Sequence, residues 1–155
     1  MRAKTFSFCF AMNELKIYNA DLDSQLPLPF ADEGVRAGFP SPAQDFISES
    51  IDLNRDIIRH SDSTFYARAE GDSMIDAGVH SGDILVIDKA LTPCEGDMAV
   101  CCVDGEFTLK FVEKHDDHLL LIPANPAYDP IRVDRGNEFM VWGVVTYVIH
   151  KTRKG

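Results

Sequence analysis

From residue 64 onward the chain alternates short apolar runs with turn residues. Segments 64–69, 83–88, 98–103, 106–113, 118–122 and 139–149 are rich in Val, Ile, Leu, Phe and Tyr, side chains that suit a pleated, half-buried surface. Several short strands at this spacing predict a mainly β domain of twisted, bent antiparallel sheets, a barrel or a sandwich. Asp104-Gly105 separates two of the runs and is the strongest hairpin signal in the chain, because glycine supplies the positive φ of a tight turn without strain. Ahead of these runs, residues 45–60 place Phe46, Ile47, Ile51, Ile57 and Ile58 loosely at helical spacing, which predicts one or two short helices. Up to residue 42 the chain carries Pro27, Pro29, Gly34, Gly38, Pro40 and Pro42, a composition that suits an extended arm. The expected organisation is an N-terminal arm over residues 1–42 and a β-rich domain over 43–155.

Length and charge narrow the functional classes. With 155 residues the chain is long enough for one domain with a real core plus an arm. A net charge of −10 repels a polyphosphate backbone, so direct DNA binding is not expected; the basic stretch His150, Lys151, Arg153, Lys154 reads as a solvated chain end. No apolar run approaches the roughly 18 residues of a membrane span. Glu14 and Lys16 cut short the apolar patch near the N-terminus, and no small-residue cleavage site follows, so it is not read as a secretory signal. Met12 is a second candidate start. Cys9, Cys94, Cys101 and Cys102 show no metal-ligand spacing and read as buried, reduced thiols of a cytoplasmic protein. His115 and His118 lack an evident third ligand. No metal or cofactor is expected.

One loop raises a chemical question. In EGDSMIDAG, residues 70–78, Ser73 is a candidate nucleophile, yet a serine hydroxyl needs a base within hydrogen-bond reach. His80 stands in a turn-like segment and reads as a surface residue; His60 precedes the strand region, and His150 lies in the tail. The other candidate is a lysine. Alternation in GEFTLKFVEK puts Phe107, Leu109 and Phe111 on one strand face and Thr108, Lys110 and Val112 on the other. Taken alone that pattern describes an ordinary surface lysine; a base would require desolvation to depress an amine pKa near 10.4 by several units. Periodicity leaves the two readings open. Met74 reads as a packing anchor for the loop, and Gly71 and Gly78 as turn glycines or as room for a close backbone approach.

The ordered set GFPSPAQDF, IDLN, GDSMIDAG, GDILVID, VDGEFTLK, LIPANPAYDPI and VWGVV resembles the UmuD family, relatives of the LexA repressor and of self-cleaving phage repressors. The resemblance runs from about Gly38 to the C-terminus. It implies twisted β-sheets carrying a Ser-Lys dyad at one cleft, with Ser73 as nucleophile and Lys110 as general base. Backbone amides of Asp72 and Ser73 would then stabilise the oxyanion.

The same resemblance places the substrate within the chain: the Ala37–Gly38 bond is the expected cleavage site, and small side chains there suit entry into a narrow cleft. The 37-residue fragment is too short and too rich in proline for a helix-turn-helix domain, which points to the mutagenesis branch of the family rather than to the repressors. By resemblance the partners are a second copy of the chain, a RecA filament on single-stranded DNA that promotes self-cleavage, and a UmuC-type subunit of an error-prone translesion polymerase, all in the cytoplasm and away from membranes. Two rivals compete with this reading. A non-catalytic dimeric scaffold of the same fold would leave the dyad unused. A signal peptidase would need a hydrophobic anchor and usually a proline after its Ser-Met pair, where this chain has Ile75-Asp76.

Overall fold

The computed structural model describes residues 16–19, 28–31 and 47–153. Among the described residues ten strands run in chain order: β1 (Lys16–Asn19), β2 (Leu28–Ala31), β3 (Ile47–Ile51), β4 (Thr64–Arg68), β5 (Ile84–Asp88), β6 (Met98–Val103), β7 (Glu106–Lys114), β8 (Leu119–Ile122), β9 (Ile131–Val133) and β10 (Phe139–Ile149), with one short helix, α1 (Leu53–Ile57), after β3. Eight of them form one sheet in the order β1-β4-β5-β10-β6-β7-β8-β9, and β2 pairs with β3. Every pairing is antiparallel. The mainly β, antiparallel architecture expected from the apolar runs is therefore what the chain adopts.

The segment read as helical divides differently. Residues 47–51 pair with β2 as a strand, and the helix is confined to Leu53–Ile57, started by the Asp52 side chain, which accepts a hydrogen bond from the Asn54 amide at 3.1 Å. Isoleucines at both ends of ISESI favour the extended form, and an N-capping aspartate fixes where the helix starts. A single 3-10 turn, Ser61–Ser63, then leads into β4. Strands β1 and β2 fall within residues 1–42, where the composition suggested an extended arm.

β10 is the hub of the sheet. Its first half pairs with β6 and its second half with β5, and the register slips between Val141 and Gly143 on one side and between Val145 and Tyr147 on the other. Such bulges bend a strand and increase its twist, and one long strand thereby pairs with β6 through its first half and β5 through its second. Gly143 makes the close approach feasible: a Cβ there would stand 2.5 Å from Ile87 Cγ2 and 3.2 Å from the Asp88 carbonyl oxygen.

Two apolar clusters occupy the two faces. Ala67, Met74, Leu85, Ile87, Val100 and Leu109 share one cluster; Ala99, Cys101, Leu121 and Val133 share the other. Val100 and Leu109 are cross-strand partners, as are Ala99 and Lys110, so alternate residues of β6 and β7 feed opposite cores. This explains why β5 and β6 read as nearly continuous apolar runs. The hairpin between β6 and β7 turns on Asp104 and Gly105 at φ of 49° and 87°, as that dipeptide predicts.

Candidate active site

Ser73 lies in the loop between β4 and the 3-10 turn Ile75–Ala77. The root of the loop is tied to the start of β5: the Ala69 amide donates to the Asp83 carbonyl at 2.9 Å, and the Gly82 amide donates to the Ala69 carbonyl at 2.8 Å. Gly71 and Gly78 take φ of 81° and 79°, a region that costs a side-chain-bearing residue free energy. Met74, 2 % exposed, sinks into the first apolar cluster and anchors the loop, as its position beside the serine suggests.

A second loop, residues 123–129, braces the first. The Ala124 amide donates to the Ser73 carbonyl at 2.9 Å, and the Asp76 amide donates to the Ala124 carbonyl at 2.8 Å. Asn125 Nδ2 donates to the Asp72 carbonyl at 3.0 Å, and the Tyr128 hydroxyl donates to Asp72 Oδ1. Side chain and backbone of the residue preceding the serine are thus both fixed from the same loop.

Lys110 comes from the middle of β7. Its Nζ lies 3.0 Å from Ser73 Oγ, 2.9 Å from Thr108 Oγ1 and 3.0 Å from the Leu109 carbonyl oxygen. Ser73 is 1 % exposed and Lys110 is 5 % exposed, so the two polar groups meet in an enclosure shut off from bulk water. The surface reading of the lysine fails because the strand face it shares with Thr108 and Val112 is itself covered, by the second apolar cluster and the serine loop. Alanine at position 99, directly across the ladder, leaves space beside the lysine stem.

Three contacts suit both charge states of the amine. An ammonium has three donors, matched by two hydroxyls and a carbonyl. After loss of one proton, two N–H bonds remain for the Leu109 carbonyl and Thr108 Oγ1, and the lone pair faces the Ser73 hydroxyl. Burial lowers the Lys110 pKa from its ordinary value to about 8. Burial also pushes the Cys101 thiol up to about 12, so this neighbour stays neutral instead of holding the ammonium charged as a thiolate would.

The five histidines sit in three other places. His60 Nδ1 contacts Asp88 Oδ2 at 2.5 Å, His115 and His118 stack with centroids 4.6 Å apart, and His80 and His150 both face Asp83. Cys101 is buried and Cys102 partly so, but Cys94 is exposed; the expectation of buried thiols fails there because Cys94 belongs to the connection between β5 and β6, outside the packed strands. Cys9 and the Ala37–Gly38 bond lie outside the described residues. Thr108, Asn125 and Tyr128 were given no role by sequence reasoning; the alternation that pairs Thr108 with Lys110 on one face and the polar content of PANPAYD were the available signals.

A family model described as peptidase S24-like matches residues 29–146. The chain belongs to this family. Among its relatives are protein SamA of Salmonella typhimurium, 46 % identical over 129 residues that cover 83 % of this chain and 89 % of that protein, and protein ImpA of Escherichia coli, 43 % identical over 138 residues covering 85 % and 89 %. Protein MucA of Escherichia coli is 37 % identical over 121 residues, covering 77 % and 82 %. The family resemblance read from the ordered motifs is thereby borne out. Membership in a peptidase family of this kind supports serine peptidase chemistry. Among the described residues no helix is long and apolar enough to cross a membrane.

Proposed function

We propose that this protein is a self-cleaving serine endopeptidase in which Ser73 is the nucleophile and Lys110 the general base, acting on its own Ala37–Gly38 bond. The observation that carries the reading is the 3.0 Å contact between Lys110 Nζ and Ser73 Oγ in a buried setting that depresses the amine pKa. Residues 1–42 act as the arm that delivers the bond, and residues 43–155 as the peptidase and dimerisation domain.

In the first step Ser73 Oγ attacks the Ala37 carbonyl carbon as its proton passes to the Lys110 amine. The Asp72 and Ser73 amides hold the oxyanion. Collapse breaks the bond to the Gly38 nitrogen, which takes the proton from the Lys110 ammonium, and leaves an Ala37 ester on Ser73. Water then attacks the ester, Lys110 accepts its proton, and Ser73 is restored by proton return. The products are a 37-residue fragment and the chain Gly38–Gly155.

The biological setting follows from the family reading. A RecA filament on single-stranded DNA stimulates the cleavage during the response to DNA damage, and the shortened homodimer serves a UmuC-type subunit in error-prone translesion synthesis, in the cytoplasm and without binding DNA itself. Intact mass before and after incubation at alkaline pH, and with RecA, ATP and single-stranded DNA, tests the proposal: a new N-terminus at Gly38 that disappears in Ser73→Ala is the expected result. The alternative, a non-catalytic dimeric scaffold, draws on the near-complete burial of Ser73. Absence of any fragment under both conditions would favour it.

A further inference from the structure

On the side of the molecule where β5 begins and β10 ends, three side chains distant in sequence converge. His150 Nδ1 lies 2.6 Å from Asp83 Oδ1, and His80 Nδ1 lies 3.7 Å from Asp83 Oδ2. The two rings face each other with centroids 4.7 Å apart, and one donor atom from each of the three residues lies within 4.8 Å of the others. We propose that His80, Asp83 and His150 form a binding site for a divalent transition metal of the zinc class.

The donor set selects the metal. Two imidazole nitrogens and one carboxylate oxygen suit Zn²⁺ and Co²⁺, whereas Mg²⁺ and Ca²⁺ call for oxygen shells. A tetrahedral ion with bonds of about 2.0–2.2 Å spaces its donors roughly 3.3 Å apart. The two contacts run to different oxygens of the carboxylate, and with one donor atom of each residue within 4.8 Å of the others ion entry draws the donors together by up to about 1.5 Å, a shift that rotation of two half-exposed imidazole rings supplies.

The site is also supported. Asp83 is buried and cannot drift: its amide donates to the His80 carbonyl at 3.1 Å, its carbonyl accepts from the Ala69 amide at 2.9 Å, and its Oδ2 accepts from the His80 amide at 2.8 Å. The fixed carboxylate orients the site, as hydrogen-bonded ligands do in metal centres. Both imidazoles are about half exposed, which leaves a path for the ion and a fourth position open to water. Bound metal would join the end of β10 to the turn that holds Ala69, at the root of the serine loop, as a structural staple independent of the peptidase chemistry.

Cobalt titration of the tag-free, metal-stripped full chain, its length checked by intact mass, tests the site. The expected result is saturable visible absorption of tetrahedral Co²⁺ at one equivalent, displaced by Zn²⁺, with a melting temperature raised by Zn²⁺. His80→Ala and His150→Ala, both at exposed positions, should each weaken binding by more than about tenfold and abolish the thermal shift while circular dichroism stays unchanged. His115→Ala should leave binding as it is. No saturable absorption, or absorption that survives both His80→Ala and His150→Ala, would overturn the proposal.

Discussion

The Tyr128 hydroxyl donates a hydrogen bond to the Asp72 carboxylate, joining two loops 56 residues apart at the residue next to Ser73. The bond to Asp72 raises the phenol pKa, so the phenol remains a donor through the alkaline range in which the amine of Lys110 loses its proton. Tyr128→Phe deletes the bond and leaves Asn125 holding the Asp72 carbonyl. We expect alkaline self-cleavage to slow by about tenfold, because small misplacements of a nucleophile cost that much or more. A time course of fragment release by mass spectrometry checks it, and Asn125→Ala combined with Tyr128→Phe should slow the reaction further.

Cleavage should follow the amine, not the hydroxide concentration. With the Lys110 pKa lowered to about 8 by burial, roughly a tenth of the molecules carry the neutral amine at pH 7, against about one in several thousand for an exposed lysine. The rate should rise close to tenfold per pH unit below pH 8 and level off above it. A profile still climbing at pH 10 would mean that Lys110 titrates as an exposed lysine and is not the base.

The same shift carries a stability consequence. A lysine whose folded pKa lies below its unfolded value binds its proton more tightly in the unfolded chain, so stability is reduced below pH 8 and recovers as pH rises from about 8 toward 10.5. The cost at neutral pH is on the order of 3 kcal/mol. Removing the amine should return part of it, since hydrogen bonds to Thr108 and Leu109 are lost as well. Urea denaturation should find Ser73→Ala/Lys110→Met more stable than Ser73→Ala by about 1–3 kcal/mol at pH 7, with the gap narrowing by pH 10.

Gly143 offers a test of the fold itself. A methyl group there meets Ile87 Cγ2 at 2.5 Å and the Asp88 carbonyl at 3.2 Å, and the carbonyl is backbone in a central strand. Gly143→Ala should lower the unfolding free energy by about 1–3 kcal/mol through overpacking, read as a reduced urea midpoint with an unchanged slope.

Thiol labelling distinguishes the cysteines. Cys94 is exposed, while Cys101 is buried with its thiol pKa pushed up to about 12 by that burial. A maleimide at neutral pH should modify Cys94 in the native protein and reach Cys101 only after denaturation.

Much of the fold was legible because burial on one or both faces writes itself into the chain as apolar runs: β6 and β10 coincide with the expected segments, and the Asp104-Gly105 turn follows from one dipeptide. β9 escaped because three residues, Ile131–Val133, carry too short a pattern. β3 was taken for helix because isoleucines four apart fit both periods until a partner strand decides between them. At the candidate site, Lys110 alternates like a surface residue; its burial comes from tertiary packing that includes the serine loop, 37 residues away in the chain. The bracing by Asn125 and Tyr128 spans more than fifty residues, a distance over which local pattern has no reach.

Ser73 keeps 1 % of its surface open. Reagents that label typical serine hydrolases by collision, fluorophosphonates among them, therefore meet a closed door and should react sluggishly with the resting chain. On the proposed reading, the same enclosure would keep stray peptides from the hydroxyl, placing selectivity in admission to the site.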